Sequence, residues 1–375
     1  MSSPVLRWFP LATGLVWLGL SAVLLGFAQW LHGGVWPLGA TFTRWDGAWY
    51  YSVVQDGYAI GSLHGQVNVA FFPLYPLLVA GVQDGLRLPG WVAAVGVSVV
   101  SFGAALVLLY DLVARCWGEP VARWSVLLTA FNPFGLFFGF IYTESLYLLL
   151  SVAVFWALER RRWWTAAVTA GLASATRPQG LLLGAMVVAW WGWRTRAAWR
   201  EPQLRPGWLV QGLGLAVISA AGLLAFAAYL QGHNGDALAF AHVQAYWGRT
   251  GVSELWPGLR AFIEAALHHT ISHPILFSDL VWYGSIVAGL AGCGLLLWQR
   301  EYWYAAYVAL GVATPLASGS IEGMDRYVMV LFPIYVAVAG LLARRGSRLL
   351  AVAASSLTFV AFWLVYLDPR QLFFG

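Results

Sequence analysis

The chain contains no lysine, only two cysteines among 375 residues, and few charged residues, which make up 10 % of it. All 21 basic residues are therefore arginines. The cysteines, Cys116 and Cys293, have no metal-like spacing and do not indicate a disulfide framework. We therefore expect no metal and no cofactor. The arginine bias, with abundant glycine, alanine and tryptophan, indicates a GC-rich and hence prokaryotic source.

Several signatures of soluble enzymes are also missing. The sequence has no Walker loop, nucleophile elbow, HExxH motif or Rossmann fingerprint. These motifs hold phosphates, a nucleophilic serine, a zinc ion and a dinucleotide, respectively. Their absence argues against nucleotide binding and covalent hydrolysis, so any activated donor should be carried by a lipid.

Apolar residues dominate what is present, with 60 % hydrophobic residues and a mean hydropathy of +0.70. Runs of about 20 apolar residues are long enough to cross a bilayer as helices. We therefore predict an all-α, polytopic integral membrane protein. The net charge of +5 does not indicate nucleic-acid binding, because the arginines lie singly or in short clusters between apolar runs. Anionic lipid headgroups attract arginines at such places.

The apolar runs predict a single membrane-embedded domain over residues 1–375, with about 10–11 transmembrane helices and no internal repeat. The first run ends without a small-residue cleavage site, so we expect it to remain as a helix. A shorter pair, 163–176 and 179–193, is separated by Arg177 and Pro178 and could form a helical hairpin or a broken element. The other predicted crossings are 10–31, 91–113, 121–140, 143–158, 208–231, 278–298, 302–318, 326–343 and 348–366.

The distribution of arginines predicts the orientation, because arginine-rich loops stay in the cytoplasm. The densest clusters lie at 160–162, 194–205 and 344–348. The loops 32–70 and 232–277 would then share the extracytoplasmic face of the cell membrane, or the lumenal face in a eukaryote. The two loops share a face only if the number of crossings between them is even. This requires segment 69–82, which contains Pro73 and Pro76, to enter the membrane without crossing it.

Most ionisable residues near the membrane fall on that extracytoplasmic face. Such groups are costly at membrane depth, so they pair with one another or line a polar cavity. We therefore predict one functional site there. The residues are Arg44, Asp46, Asp56, Glu144, Arg177, Asp236, Arg249, Glu322, Asp325 and Arg326.

The stretch RWDGAWYYSVVQDG (44–57) has helical spacing, which places Asp46, Trp49 and Tyr50 on one face. It would form a short interfacial helix that shows a carboxylate beside aromatic rings. Alternatively, Thr43 and Asp46 form a capping box, and the rings form an interfacial aromatic belt.

Three further charges have both a functional and a structural interpretation. Glu144 opens an apolar helix, where the helix dipole favours a carboxylate, or it accepts a hydrogen bond from substrate. Arg177 cannot be neutralised and needs an anion or a carbonyl partner, which would be the substrate, Glu144 or Asp46. Arg326 stands at a helix start, where the dipole disfavours a cation unless an anion lies near.

The loop stretch 231–251 predicts an amphipathic interfacial helix, in which His242 or Gln244 could contact substrate. Its two histidines, His233 and His242, lack a third ligand at metal-like spacing. We therefore predict no metal site.

Six blocks of the sequence resemble the PIG-V family of mannosyltransferases, which includes the enzyme that adds the second mannose to the glycosylphosphatidylinositol anchor. The blocks run in family order over residues 40–335: RWDGAWYYSVVQDGY, FFPLYPLL, NPFGLFFGFIYTESLYLLL, RRRWWTAAVTAGLASATRPQGLLL, GDALAFAHVQAYWGR and DRYVMVLFPIYV. The resemblance implies a GT-C type membrane glycosyltransferase that takes mannose from a polyprenyl-phosphate donor on the non-cytoplasmic face and inverts the anomeric centre. It also implies that Asp46 is catalytic. A prokaryotic homologue has no such anchor to build, so we expect a glycolipid or another membrane-associated acceptor.

A single carboxylate is sufficient for this chemistry, because a lipid phosphate leaves as a stable anion. A sugar alkoxide, by contrast, must be protonated as it leaves. Asp46 would act as general base, while Arg177 or Arg326 stabilises charge on the phosphate. Aromatic side chains would supply flat faces for sugar rings. The other predicted substrate-binding residues are Arg44, Trp45, Trp49, Tyr142, Glu144, His242 and Gln244.

Two alternatives remain open from the sequence. The donor could carry another sugar, such as glucose or arabinose, because a few hydrogen bonds decide between such sugars. A lipid or sugar transporter would predict inverted repeats and charges at the membrane midplane. The sequence shows no repeat, and its charges gather at one face.

Overall fold

The computed structural model describes residues 8–31, 37–59, 65–249, 251–268, 273–345 and 348–366. These residues form α-helices and short 3-10 helices, and none of them lies in a strand, so the predicted all-α fold is confirmed. The first helices are α1 (Phe9–Leu31), α2 (Leu38–Phe42), α3 (Asp46–Asp56), α4 (Leu74–Leu86), α5 (Gly90–Cys116), α6 (Glu119–Ala130), α7 (Glu144–Glu159), α8 (Trp163–Ser174) and α9 (Gly180–Thr195). The later helices are α10 (Arg205–Asn234), α11 (Ala239–His242), α12 (Leu255–Leu267), α13 (His273–Trp298), α14 (Tyr302–Ala317), α15 (Met324–Met329), α16 (Pro333–Arg345) and α17 (Arg348–Tyr366).

Four helices in the described part of the chain are long and apolar enough to cross a membrane. They are α1, α5, α10 and the Phe277–Trp298 part of α13. Other apolar helices are shorter; α7 and α14, for example, have 16 residues each. The chain is a multi-pass membrane protein.

Two of the predicted crossings are wrong as single helices. Segment 121–140 breaks after Ala130, because the Asn132 side chain donates to the Thr129 carbonyl at 2.8 Å and accepts from the Phe134 N–H at 2.9 Å. Such local bonds replace those of a helix. Segment 326–343 consists of α15 and α16, and α16 begins at Pro333. Proline has no N–H to donate and is therefore favoured at the first position of a helix.

Helix α4 is too short to cross a bilayer core by itself. It has 13 residues, or about 20 Å, which is less than the roughly 30 Å of a bilayer core. The Leu74 N–H donates to the Ala175 carbonyl at 2.9 Å, and near the other end the Gln83 side chain accepts from Gln55 of α3 at 3.2 Å. That segment 69–82 enters the membrane without crossing it stays a prediction.

Helices α8 and α9 form a tight hairpin that packs on α10. A Cβ atom at Gly180 would lie 2.2 Å from the backbone carbon of Ala173, and one at Gly222 of α10 would lie 2.2 Å from the Gly171 carbonyl oxygen. Only glycine allows backbones to approach so closely. The hairpin turn contains Arg177, so this packing fixes the position of that residue.

The arginine cluster at 160–162 and the predicted site lie at opposite ends of α7. Glu144 begins this helix and Glu159 ends it. Near its end, Arg160 forms an ion pair of 2.5 Å with Asp111 of α5, which also pairs with Arg115 at 2.9 Å. The 16-residue helix therefore separates the two charged regions by about 22 Å.

Candidate active site

A cavity of about 620 Å³ opens at the end of the bundle where α7 begins. Its wall combines α3, the turn after α8, the segment 240–249 and the region from the end of α14 to α15. The polar lining residues are Asp46, Gln66, Glu144, Thr176, Arg177, Gln179, Gln244, Arg249, Thr314, Ser318, Glu322 and Arg326. The aromatic lining residues are Trp45, Trp49, Tyr50, Phe71, Phe72, Phe240, Trp247 and Tyr327.

The chain enters α3 through a constrained turn that presents Asp46 to this cavity. Trp45 has a φ of 47°, a value that non-glycine residues rarely adopt. A Cβ atom at Gly47 would lie 2.7 Å from the Phe42 carbonyl oxygen. The Thr43 hydroxyl donates to the Gly39 carbonyl at 3.0 Å, and no side chain caps α3. The alternative interpretation of Thr43 and Asp46 as a capping box is therefore wrong.

Asp46 forms an ion pair with Arg326, which lies 280 positions later in the chain. The distance between Asp46 Oδ2 and Arg326 Nη1 is 2.6 Å. The same guanidinium lies 3.7 Å from Glu144 Oε1, and its carbon is 5.1 Å from the centroid of the Tyr142 ring. The anions expected beside Arg326 are thus Asp46 and Glu144.

Arg177 extends this pair into a network of four charges. Its Nη2 atom is 3.1 Å from Glu144 Oε1. Its guanidinium also donates to the Thr143 hydroxyl, from Nε at 3.2 Å and from Nη2, and the Tyr50 hydroxyl is 3.3 Å from the same oxygen. Glu144 and Arg177 are 2 % and 7 % exposed. Because charges are costly to bury unless they are paired, this network makes the charged cavity wall stable.

Three rings of the cavity wall contact one another. Trp49 and Phe71 are stacked, with centroids 6.1 Å apart and planes at 9°. The Trp247 ring meets both edge-on, at 5.2 Å from Trp49 and 5.5 Å from Phe71. Trp49 lies one helical turn after Asp46, so this aromatic cluster borders the carboxylate.

A second group of polar residues lines the cavity around Arg249. Arg249 donates from Nη1 to the Ser318 hydroxyl at 3.1 Å and from Nη2 to the Tyr327 hydroxyl at 3.0 Å. Glu322 lies in the turn between α14 and α15, where burial and the Asp46 carboxylate raise its pKa. The neighbouring Asp325 is fully buried, and burial raises its pKa to about 7.

The structure brings seven of the ten residues predicted as catalytic or substrate-binding to one cavity, although Asp46 and Arg326 are 280 positions apart in the chain. The seven are Trp45, Asp46, Trp49, Glu144, Arg177, Gln244 and Arg326. Of the other charged residues predicted for this site, Arg249 and Glu322 also line the cavity, whereas Asp56, Asp236 and Asp325 do not.

Three predicted substrate-binding residues lie away from the cavity wall. The Arg44 guanidinium is 5.7 Å from the Trp45 ring centroid, and the Arg44 carbonyl accepts from the Tyr142 hydroxyl at 3.3 Å. Tyr142 is fully buried beneath Arg326. His242 is exposed, and its Nδ1 atom lies 2.8 Å from Asp236 Oδ2.

The sequence reasoning missed several lining residues. Phe71 and Tyr327 lie within recognised blocks, and Tyr327 directly follows Arg326, but neither ring carries a signal that distinguishes it from an ordinary apolar contact. The described part of the chain contains no group of three His, Cys, Asp or Glu residues that could hold a metal ion.

Part of the chain matches a known protein family. Residues 37–190 match the family model for mannosyltransferase (PIG-V). The predicted resemblance is thereby confirmed for the part of the chain that contains Asp46, Glu144 and Arg177, whereas Arg249 and Arg326 lie beyond it.

Individual relatives and one fold comparison agree with this match. The human GPI alpha-1,6-mannosyltransferase 2 is 28 % identical over 152 residues, which cover 37 % of this chain and 29 % of the relative. A Drosophila pseudoobscura GPI mannosyltransferase 2 is 26 % identical over 121 residues, 30 % of this chain and 26 % of the relative. These matches span less than a third of each relative's length.

The fold is similar to that of the Archaeoglobus fulgidus oligosaccharyltransferase in its apo crystal structure. The two chains are 12 % identical, with a TM-score of 0.51, and the match covers 98 % of this chain and 56 % of that one. The chain therefore has the predicted GT-C fold.

Proposed function

We propose that this protein is an inverting mannosyltransferase that moves mannose from a polyprenyl-phosphate-mannose donor to a glycolipid or another membrane-associated acceptor. One observation carries the proposal. Asp46 is held by Arg326 at the wall of a cavity, within the segment that matches the mannosyltransferase (PIG-V) model.

Asp46 is the general base in this mechanism. An acceptor hydroxyl oxygen forms a bond to the anomeric carbon, its proton passes to the Asp46 carboxylate, and the bond from the anomeric carbon to the phosphate oxygen breaks. The lipid phosphate leaves with the electron pair of that bond. The Asp46 side chain is 25 % exposed, so an acceptor can reach it, and its ion pair with Arg326 fixes its orientation.

The four-charge network keeps the base in place. Arg326 links Asp46 to Glu144, and Glu144 links Arg326 to Arg177. Electrostatic groups that are already oriented need not reorganise during the reaction. In this proposal Glu144 and Tyr142 position Arg326, and both arginines add positive potential to the cavity.

The aromatic cluster of Trp49, Phe71 and Trp247 binds sugar in this proposal. Flat rings stack on the apolar faces of pyranose rings and bury them. The cluster borders Asp46, so a sugar stacked there would place a hydroxyl or its anomeric carbon near the base. The reaction takes place on the extracytoplasmic face, where lipid-linked sugars are available and nucleotide sugars are not.

The direct test is transfer of label from a defined donor. Purified protein in lipid nanodiscs is incubated with polyprenyl-phosphate-[³H]mannose and a lipid extract of the host, and labelled products are separated. We expect a labelled product with mannose and none with the corresponding glucose or arabinose donors. Transfer from one of those donors instead of mannose would contradict the sugar assignment.

Substitution of Asp46 by Asn tests the base. We expect a loss of about 10²–10⁴-fold in rate, typical of a missing general base, with the same apparent melting temperature within a few degrees. Asp56→Asn is the matched control, because Asp56 ends the same helix and is exposed. Near wild-type turnover in pure Asp46→Asn would rule out Asp46 as the base.

A further inference from the structure

The three arginines of the cavity differ in the side chains that pair with their guanidinium groups. Arg326 pairs with Asp46 at 2.6 Å, and Arg177 pairs with Glu144 at 3.1 Å. Among the described residues, the Arg249 side chain hydrogen-bonds to two neutral hydroxyl groups, those of Ser318 and Tyr327. Across the described residues, no carboxylate lies within 4.0 Å of the Arg249 guanidinium. Of the three cavity arginines, Arg249 is therefore the one with no described carboxylate at ion-pair distance.

The hydroxyl partners leave this guanidinium with spare donors. A guanidinium has five N–H groups, and two of them are used here. The Ser318 hydroxyl itself donates to the Pro315 carbonyl at 2.6 Å, which turns its oxygen towards Arg249. The Tyr327 oxygen accepts from Arg249 and keeps its own proton, so it can donate to a further acceptor. Arg249 and Tyr327 together offer several donors to a tetrahedral oxyanion.

The backbone holds Arg249 in a fixed position. The Gly251 N–H donates to the Ser318 carbonyl at 2.9 Å, and a Cβ atom at Gly319 would lie 2.0 Å from the Gly251 carbonyl oxygen. Gly251 is thus tied to the turn after α14, and the Arg249 guanidinium contacts Ser318 of the same turn. A donor group that is held in place loses less entropy when it binds a ligand.

We propose that Arg249 and Tyr327 bind the phosphate of the lipid donor, and that Arg177 and Arg326 serve mainly to hold the carboxylates. This inference rests on the proposed function. It assigns the phosphate to the part of the cavity wall around Arg249 and Tyr327 rather than to the Asp46–Arg326 pair, with the aromatic cluster close to it, because Trp247 precedes Arg249 by two residues. The leaving phosphate therefore departs towards a cation that has no described carboxylate at ion-pair distance, while the acceptor proton goes to Asp46.

Binding of the product lipid tests this assignment without catalysis. Polyprenyl phosphate, polyprenol and phosphatidylglycerol are compared as ligands of the wild-type protein in neutral nanodiscs. We expect polyprenyl phosphate to bind, polyprenol to bind much more weakly, and phosphatidylglycerol not to compete. Equal competition by phosphatidylglycerol would show a general anionic-lipid surface and overturn the inference.

Variants then locate the phosphate. We expect Arg249→Gln to weaken polyprenyl phosphate binding by about 10- to 150-fold, the range for loss of a charge-assisted hydrogen bond, and to leave polyprenol binding unchanged. Tyr327→Phe removes only a hydroxyl and should weaken binding several-fold, which keeps the test valid if Arg249→Gln does not fold. Arg260→Gln is the control, because Arg260 pairs with Glu264 on the exposed helix α12.

Unchanged phosphate binding in both Arg249→Gln and Tyr327→Phe would overturn the inference and leave the proposed function standing. Conversely, if polyprenyl phosphate binding depends on Arg249 but no labelled mannose is transferred by the wild-type protein, the phosphate site stands and the mannosyltransferase proposal fails.

Discussion

At the scale of single residues, the site is a set of charges that neutralise one another in pairs. Burial makes each charge depend on its partner, since an ion pair gains little over an apolar pair but the loss of one member leaves an unpaired charge. Glu144 and Arg177 show this dependence most clearly, because both side chains are less than a tenth exposed.

A double-substitution cycle on this pair should show strong coupling. We expect Arg177→Met and Glu144→Gln each to lower the apparent melting temperature, with a cost of about 3–5 kcal/mol for the unpaired charge. The double variant should lose less stability than the sum of the losses in the two single variants. Thermal denaturation in one detergent measures all three variants.

The control for this cycle is Arg115→Gln, because the Arg115 side chain is 66 % exposed in its pair with Asp111. Exposed pairs contribute about 0–1 kcal/mol, so this variant should melt close to the wild type. Strictly additive losses at Glu144 and Arg177 would mean that the two side chains do not interact in the folded protein.

The sequence predicted which charges share the site but not how they pair. The positions of Asp46, Glu144, Arg177 and Arg326 between apolar runs placed them at one end of the bundle, because membrane crossing leaves few alternatives. Partner choice depends on side-chain packing within a few ångströms. For the same reason, spacing alone did not show that Tyr142 is buried.

At the scale of helices, close packing of α8, α9 and α10 positions the Arg177 turn. Gly222 is the tightest contact on α10, since an added Cβ would lie 2.2 Å from the Gly171 oxygen and 2.6 Å from the Ala175 nitrogen. Backbone atoms cannot move aside as a flexible side chain does, so a methyl group there must separate the helices.

Gly222→Ala should therefore destabilise the protein and reduce transfer. We expect a cost of about 1–3 kcal/mol, typical of overpacking, and a lower rate because Ala175 lies two residues before Arg177. Gly232→Ala in the same helix is the matched control, because no atom lies within 4 Å of its added Cβ. Alanine is a better helix former than glycine by about 1 kcal/mol, so the control should melt at the wild-type temperature or above it.

If the two alanine variants melt alike, helix contact at Gly222 does not limit stability.

The helix predictions themselves failed where a local signal interrupted an apolar run. Hydropathy averages over a window and cannot detect that the Asn132 side chain ends α6 or that Pro333 begins a new helix. Long uninterrupted runs such as α5 and α10 were predicted to within a few residues.

At the scale of the whole molecule, the arginine cluster at 160–162 and the cavity lie at opposite ends of α7. The extracytoplasmic position of the cavity is a prediction that thiol labelling can check. Cys116 and Cys293 are first replaced by serine or alanine. Then Val252→Cys on the cavity side should react with a membrane-impermeant maleimide in spheroplasts, and Gln203→Cys at the opposite end should not.

Both positions are exposed in the structure, so both cysteines should react after permeabilisation, which controls for accessibility. Labelling of position 203 with protection of position 252 in intact spheroplasts would reverse the orientation. Asp46 would then face the cytoplasm, where a lipid-linked donor has no advantage over a nucleotide sugar.

The long separation between Asp46 and Arg326 has a consequence for biosynthesis. A membrane protein is made and inserted from its N-terminus, so the ribosome completes Asp46, Glu144 and Arg177 well before Arg326. During that interval Asp46 lacks its Arg326 partner, and α3 has no contact with α15. If Asp46 is the general base that we propose, the nascent chain should be inactive while it is still being inserted, because the carboxylate is held by Arg326 only when the last third of the protein has joined the bundle.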